Sequence, residues 1–421
     1  MKGLELRNNS KIVIAGIVFI FLHSLRYFDF VGINETIYGH ISKLSALALI
    51  VLFFFTRGPR QTPGWYWMIA LLTVPMLSFL PSWVENGQSP VQSLSAYLPF
   101  GLVLVYFFLH KAKVSPSELV RILTILALVR IGIYVIQQFT YPYYLFAYRQ
   151  EGLSSSGVFT GIEVRSGIYR YYIEDTYLSM FLVFYYLQKT FKRRRPSDLI
   201  LFTVGLIGVY LDQSRQFMVS TLVAIMFVFF FASEIRNKGW LLLVIFAIFS
   251  VVLLNYEKLF ADLLYMTHDD MSSDNIRLLA YTTYGLELWG GPLSVIFGNG
   301  PPGKSAFGEQ IQYYCSDLHL YYNDIGLVGA AFLFGVVTVL LFLAFMVFFV
   351  FRNWRKLQMH LKMYYIAMLV YSPLVTIYTQ NINWFVFFGF MLYLSDLSIA
   401  HYNRRIHMLR ESKVDVVETE P

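Results

Sequence analysis

Long apolar stretches recur along almost the whole sequence, and each has about the length of a helix that crosses a lipid bilayer. Such a helix needs roughly 17–25 residues, some of them less apolar at the ends. By that measure the pattern predicts spans near 10–28, 39–56, 64–81, 92–110, 117–138, 173–191, 197–212, 214–233, 239–256, 321–351, 362–380 and 381–400. The sequence therefore predicts an all-α polytopic membrane protein with about twelve transmembrane helices.

The composition excludes the main alternatives to a membrane protein. Apolar residues make up 57% of the chain and charged residues 14%, against roughly 45–50% and 25% in soluble globular proteins. A chain of this kind cannot cover itself with polar surface, which excludes a soluble enzyme, a disordered protein and a disulfide-rich secreted domain. The single cysteine, Cys315, leaves no internal disulfide.

The basic residues predict the orientation in the membrane. The net charge of +7 comes from short basic clusters between the apolar stretches, a pattern that indicates membrane orientation and no nucleic-acid partner. With the N-terminus inside, most of the 33 lysines and arginines fall in cytoplasmic segments. Both termini are then cytoplasmic, and two long loops face outward.

These loops set the predicted organisation of the chain. We expect nine spans within 1–256, with an outer loop at about 140–172, then a large extracytoplasmic segment at 257–320, three spans within 321–400 and a cytoplasmic tail at 401–421. Loops of this length usually carry function or are disordered, and the composition of these two is not that of disorder.

The large outer segment shows its own helical pattern. Asn275–Trp289 is predicted to be a helix, with Ile276, Leu279, Ala280 and Tyr284 on one stripe. Glycine and proline from Gly298 to Gly303 predict a turn that is neither helix nor strand.

Several arginines are not explained by orientation. They are Arg130, Arg149, Arg165, Arg170, Arg215 and Arg277. Arg130 lies inside the fifth predicted span, where a charge costs on the order of 2.5–3.5 kcal/mol, so it must face the bundle interior or a wet cavity. Arg215 either pairs with Asp212 or binds a ligand. Arginine suits phosphate because its planar guanidinium donates bidentate hydrogen bonds. A lipid-linked diphosphate is the natural ligand at the outer leaflet of the membrane that this chain spans.

Other polar residues near the outer face suggest sugar contacts and a base. Glu174 and Asp175 either bind sugar hydroxyls or pair with Arg170. If their segment is helical, His319 and Asn323 lie on one face. His319 at a helix start would stay neutral, and it is either a hydrogen-bonded interfacial anchor or a base.

Motifs for common cofactors are missing. The sequence has no glycine-rich nucleotide loop and no His or Cys cluster with metal-ligand spacing. We therefore predict no cofactor and no metal.

The order of these features resembles the bacterial O-antigen polymerase and O-antigen ligase superfamily. Members have about a dozen spans and one large outer loop late in the chain. The matching patches are Ser214-Arg215, Arg277 early in the large loop, Gly298-Asn299-Gly300, and His319 followed by Gly326-Leu327-Val328-Gly329.

This resemblance implies a fold similar to GT-C glycosyltransferases and a metal-independent glycosyl transfer at the outer face of the inner membrane. The donor is implied to be a glycan on undecaprenyl diphosphate. His319 would be the base that activates the acceptor hydroxyl, and Arg215 and Arg277 would bind the diphosphate, helped by Arg165, Arg170 or Arg130. Membrane lipid, a flippase and a chain-length regulator are the implied partners.

Three functions stay open at this point. A polymerase would join lipid-linked repeat units, and a ligase would move the finished glycan onto lipid A-core. Ligases often have His-Asn where this chain has His319-Leu320, which favours the polymerase. A non-enzyme alternative is a lipid-linked oligosaccharide flippase or transporter, which would place polar residues along a path through the bilayer.

Overall fold

The computed structural model describes residues 2–20, 35–55, 62–140, 164–165, 168–169, 175–231, 276–379 and 382–417. The predicted span near 239–256 lies outside these residues. So do the second half of the span near 10–28, most of the outer loop at 140–172, and 257–275 of the large outer segment.

The described residues of the N-terminal half are almost entirely helical. The helices are α1 (Lys2–Phe19), α2 (Glu35–Phe55), α3 (Trp65–Thr73), α4 (Phe79–Val84), α5 (Pro90–Tyr97), α6 (Val105–Ala112), α7 (Pro116–Thr140), α8 (Thr176–Arg193), α9 (Pro196–Leu211) and α10 (Arg215–Phe231). Turns of 3-10 helix join α3 to α4 and α5 to α6. Two short strands, β1 (Val164–Arg165) and β2 (Ile168–Tyr169), pair antiparallel.

The C-terminal half continues this helical pattern. Its helices are α11 (Ile276–Thr282), α12 (Pro292–Phe297), α13 (Ala306–Ser316), α14 (Gly326–Phe345), α15 (Met359–Tyr371) and α16 (Ile382–Val417). A π-helical turn, Thr283–Glu287, extends α11, and another, Met346–Phe351, extends α14.

Five of the described helical segments are long and apolar enough to cross a membrane. They are Trp65–Val84, Pro90–Ala112, Pro116–Thr140, Gly326–Phe351 and Ile382–Leu409. Shorter apolar helices lie at Ser10–Phe19, Gly39–Phe55, Pro196–Leu211 and Arg215–Phe231. The protein is thus an all-helical membrane protein, and the count of twelve spans stays a prediction.

Local sequence signals explain where several helices begin. Proline occupies the first position of α5, α7, α9 and α12, where its missing N–H removes no helical hydrogen bond. Ser89 and Gln92 form a reciprocal capping box at the start of α5. The helix predicted from residue 92 therefore begins at Pro90.

The core lies around the last two helices. Nearly all side chains of α15 are buried, and so are 89% of the residues in the 18-residue apolar stretch of α16. Helices α8 and α10 pack against α15, and α9 packs against α8. Aromatic rings pack between the helices, as between Phe217 of α10 and Tyr371 of α15 at 5.7 Å and between Phe345 of α14 and Phe388 of α16 at 5.2 Å. The buried centre is therefore aromatic, which gives large apolar contact per residue.

The helix predicted over Asn275–Trp289 is only partly correct. Helix α11 ends at Thr282, and the π-helical turn that follows it packs against α14. Of the four residues on the predicted stripe, Ala280 and Tyr284 are buried, whereas Ile276 and Leu279 are exposed. Burial follows the face that meets α14, because no helix among the described residues covers the rest of the predicted stripe.

Helix α14 is interrupted, and the predicted glycine turn occupies the break. Gly335 has a φ of 80° inside the helix. The backbone N–H groups of Asn299 and Gly300 donate to the carbonyl oxygens of Phe332 and Leu333, each at 2.8 Å. A Cβ atom on Gly298 would collide with the backbone at Phe334 and Gly335. Irregular backbone at membrane depth needs partners within the protein, and this turn supplies them.

A buried carboxylate joins the helices at the opposite end of the bundle. Asp396 of α16 accepts hydrogen bonds from Thr62 Oγ1 and the Gly64 N–H, both at 2.8 Å, and from Tyr106 OH at 2.5 Å. His110 Nε2 lies 3.1 Å from the same carboxylate. Asp396 therefore links α16 to the start of α3 and to α6.

Candidate functional site

Arg130 is fully buried in α7, as predicted for an interior-facing charge. Its guanidinium donates to Ser179 Oγ of α8 at 3.0 Å and forms an ion pair with Asp212, in the turn between α9 and α10. A buried charge requires such a partner, because desolvation of an unpaired ion costs several kcal/mol. Arg130 thus joins three helices and fixes the turn that precedes Arg215.

Asp175 lies beside this ion pair, immediately before α8. Its Oδ1 accepts hydrogen bonds from Tyr177 OH at 2.7 Å and from Asn383 Nδ2 at 2.9 Å, and both Arg130 and Asp212 act on it electrostatically. The side chain is buried, and Oδ2 has no hydrogen-bond partner within the described ranges. Asp175 is enclosed by protein, so its observed contacts are with the bundle and not with solvent.

Arg215 is the first residue of α10 and is half-buried. It follows a tight turn in which Gln213 has a left-handed backbone, with a φ of 50°. Phe217, two residues later, packs on Tyr371 of α15 at 5.7 Å and stacks on Trp384 of α16 at 5.0 Å. These rings hold the start of α10 against the end of α15 and the start of α16.

Arg277 lies on a face of α11 that also carries Tyr281, and Tyr284 continues this face into the π-helical turn. Tyr281 OH donates to the carbonyl oxygen of Pro373 at 2.7 Å, and Tyr284 OH donates to that of Leu320 at 2.8 Å. Burial raises the pKa of Tyr281, although Arg277 acts to lower it. Tyr281 therefore stays protonated and keeps donating to Pro373.

His319 is exposed and lies in a non-helical segment. The condition under which His319 and Asn323 would share a helical face is not met, because the chain turns after α13. His319 has a left-handed φ of 57°, and Asn323 belongs to the separate 3-10 turn Tyr322–Asp324. The turn is folded back on α13 by a hydrogen bond from the Leu320 N–H to the Tyr314 carbonyl oxygen at 2.9 Å. Left-handed non-glycine residues of this kind are often found at functional sites.

The three elements that carry Arg215, Arg277 and His319 meet at one corner, residues 371–374 between α15 and α16. Phe217 packs on Tyr371, and Tyr281 binds Pro373. The start of α14, just after the His319 turn, is attached there by hydrogen bonds from Leu327 and Gly326 to Ser372 and Leu374, both 3.0 Å. The elements that carry Arg215, Arg277 and His319 therefore lie at the same end of the bundle.

The remaining predicted residues are described only in part. Arg165 lies in β1, and the backbone of neighbouring β2 is attached to α7 by Gln138, which exchanges two hydrogen bonds with Tyr169 at 2.7 and 3.0 Å. Gln138 lies near the C-terminal end of α7, so these strands are attached about 12 Å along the helix from Arg130. The Arg165 side chain, Arg149, Arg170 and Glu174 lie outside the described residues.

Sequence reasoning missed the residues that hold this arrangement together. Ser179, Asn383 and Tyr281 carry no motif, and each is recognisable only from its partner in space. The sequence predicts Tyr284 only as part of an apolar stripe and not its hydrogen bond to Leu320. Across the described ranges, no group of three His, Cys, Asp or Glu side chains is placed to hold a metal ion. No protein-family model matches the chain, and no curated protein matches it either.

Proposed function

We propose that the protein is a polymerase that joins undecaprenyl-diphosphate-linked oligosaccharide repeat units into a surface polysaccharide. The reaction would take place at the outer face of the bacterial inner membrane, in a bundle of about twelve spans similar to GT-C glycosyltransferases, with both termini in the cytoplasm. Lipid, a flippase and a chain-length regulator would be its partners there.

The observation that carries this proposal is the meeting of the Arg215, Arg277 and His319 elements at the corner formed by residues 371–374. Each of these residues comes from a different part of the chain, and the fold brings the elements that carry them to one end of the apolar bundle. Phe217, Tyr281 and Tyr284 make the contacts that bring them there.

The chemistry assigns a different task to each kind of residue. The acceptor hydroxyl attacks the anomeric carbon of the donor sugar, the bond from that carbon to the diphosphate oxygen breaks, and His319 takes the hydroxyl proton. Arg215 and Arg277 would stabilise the charge that develops on the leaving diphosphate, which is commonly the largest contribution in such sites. Arg165, in β1, and Arg170, which follows β2 in the sequence, would add positive charge.

The buried residues of the site fit positioning better than direct contact with substrate. Arg130 already binds Ser179 and Asp212, so its role would be to hold the turn that carries Arg215. Asp175 would support the start of α8 in the same way through Asn383. Glu174 and Asn323 remain the candidates for sugar contacts.

The test is chain extension by the purified protein. Wild-type protein with an undecaprenyl-diphosphate-linked oligosaccharide is expected to give a ladder of longer glycans and free undecaprenyl diphosphate. His319→Ala should abolish the ladder, whereas His401→Ala, an exposed histidine on α16, should leave it unchanged.

Other products would contradict the proposal in distinguishable ways. Transfer of glycan to lipid A-core without chain extension would identify a ligase. Movement of the intact lipid-linked oligosaccharide across a vesicle bilayer, with no new glycosidic bond, would identify a flippase or transporter. An unchanged ladder in His319→Ala would remove His319 from the reaction.

A further inference from the structure

The short turn between α4 and α5 contacts the outer segment through the side chains of Glu85, Asn86 and Gln88. The Glu85 carboxylate accepts hydrogen bonds from the N–H groups of Leu293 and Ser294 at 3.0 and 2.9 Å, at the first turn of α12. Asn86 Nδ2 donates to Asn299 Oδ1 at 3.0 Å. The turn therefore binds the outer segment at both ends of α12.

Gln88 makes the most complete of these contacts. Its Nε2 donates to the Pro301 carbonyl oxygen at 2.9 Å and to Ser93 Oγ at 2.8 Å, and its Oε1 accepts from the Gly303 N–H at 2.8 Å and from Ser305 Oγ at 2.9 Å. A glutamine amide has two donor hydrogens and two acceptor lone pairs, so all four are used. Gln88 is also fully buried, which leaves water no access to replace them.

The segment that Gln88 holds is the base of α13. Ser305 caps α13, because its Oγ accepts from the Gly308 N–H at 3.1 Å while donating to Gln88. Helix α13 is 11 residues long, roughly 16 Å at about 1.5 Å per residue. His319 follows its far end, in the turn that is folded back on Tyr314. A small tilt of α13 at Ser305 is thus magnified into a displacement of His319.

We propose that Gln88 is a positioning residue, which fixes the base of α13 and thereby places His319 for glycosyl transfer. The effect on glycosyl transfer rests on the proposed function, whereas the placement of α13 by Gln88 does not and can be measured separately. Gln88 touches no reacting atom and acts through Ser305 and α13. A misplacement of about 1 Å at a reacting group can lower a rate by about 10²-fold, so a positioning residue of this kind should affect kcat more than KM.

The single cysteine offers a readout that does not depend on activity. Cys315 is half-buried near the far end of α13 and lies 3.6 Å from Tyr284 OH. Burial raises the pKa of the Cys315 thiol, so it should react slowly with a maleimide while α13 is in place. Because the chain has no other cysteine, the labelling rate reports local opening of this helix alone.

The experiment compares purified wild type with Gln88→Met and with Gln312→Met, which makes the same change at an exposed glutamine of α13. Gln88→Met should raise the rate of Cys315 labelling by about tenfold. The loss of the hydrogen bonds of Gln88 lowers the free energy of local opening of α13, so the thiol is accessible more often. This variant should lower kcat for chain extension by about tenfold or more, with little change in KM. Gln312→Met should match wild type in both.

A milder variant covers the case in which Gln88→Met does not fold. Ser93→Ala removes one of the four hydrogen bonds of Gln88 without touching the outer segment, and it should raise Cys315 labelling by about threefold. Unchanged labelling in the folded variants would overturn the proposal, as would faster labelling with an unchanged kcat. If labelling changes as expected but wild type extends no lipid-linked glycan, the proposed function fails and the placement of α13 by Gln88 is upheld.

Discussion

Arg130 shows how a single charge is held inside an apolar bundle. The guanidinium is fully buried and binds Ser179 and Asp212, each from a different element. The sequence predicts that Arg130 faces the interior, because lipid exposure would be too costly. It does not predict Asp212 as the partner, since Asp212 is three residues from Arg215 and 82 residues from Arg130. Spacing along the chain favours Arg215 as the partner of Asp212, and only the fold brings Arg130 into contact with it.

Removal of the Arg130 side-chain charge should destabilise the protein strongly. Arg130→Met is expected to lower the free energy of unfolding by about 3–5 kcal/mol, because it leaves the buried Asp212 carboxylate without this guanidinium. Arg355→Met, at an exposed arginine, should change it by less than about 0.5 kcal/mol. Thermal unfolding in detergent measures both. Adding Asp212→Asn to Arg130→Met should recover part of the loss, and a further loss would contradict the ion-pair explanation.

Helix α14 illustrates what the sequence can and cannot predict about an element. Its apolar length predicts a span, and the glycines from Gly298 to Gly303 predict a turn. The break at Gly335 is not predictable, because a lone glycine in an apolar helix is usually tolerated without a kink. The break is stable because Asn299 and Gly300 donate to the carbonyl oxygens of Phe332 and Leu333, and these residues are more than 30 positions away in sequence.

The close approach of this turn to α14 leads to a prediction at Gly298. Gly298→Ala should destabilise the protein by about 1–3 kcal/mol, because the residue has a φ of 90° and its Cβ would meet the α14 backbone. Gly132→Ala is the matched control, since nothing lies within 4 Å of a Cβ there. In the interior of α7 it should stabilise the helix by about 0.5–1 kcal/mol. Equal effects of both substitutions on the melting temperature would contradict the close contact.

The N-terminus of α12 gives a pH-dependent contribution to stability. Burial acts to raise the pKa of Glu85, but hydrogen bonds from Ser294 and Leu293 outweigh it and hold the pKa below 4.5. Because the folded pKa is lowered, the contribution is present above pH 4.5 and is lost as the pH falls through the folded value. Melting temperatures of Glu85→Gln should therefore lie below wild type at neutral pH and approach it in acid. Glu287→Gln, at an exposed glutamate, should show no such convergence.

At the scale of the whole molecule, the sequence predicts the class of fold well and the packing poorly. Apolar length and charge are local properties, and they predict an all-helical membrane protein with helices near the observed bounds, as for 117–138 against Pro116–Thr140. The corner at 371–374 depends on contacts between α10, α11, α14 and α15. Tyr281 and Phe217 give no signal in the sequence, because an aromatic residue in such a chain is common.

The predicted orientation can be tested with the native cysteine. If the outer segment is extracytoplasmic, a membrane-impermeant maleimide should label Cys315 in intact spheroplasts, slowly because the thiol is half-buried, with Cys315→Ser giving the background. A cysteine placed at Arg355 in the Cys315→Ser chain should be labelled only after the membrane is permeabilised, because the positive clusters are expected to remain inside. Labelling of both positions from the same side would contradict the proposed topology.

The carboxylate of Asp396 also determines when the bundle can be completed during synthesis. Thr62 and Gly64 bind a residue that leaves the ribosome 334 and 332 positions later. The hydrogen bonds from Thr62 and Gly64 to Asp396 therefore cannot form until nearly every other helix has been inserted. A chain that terminates before α16 lacks the carboxylate that links α3 and α6 to this end of the bundle, so these polar groups stay exposed to the proteases that clear unfinished membrane proteins.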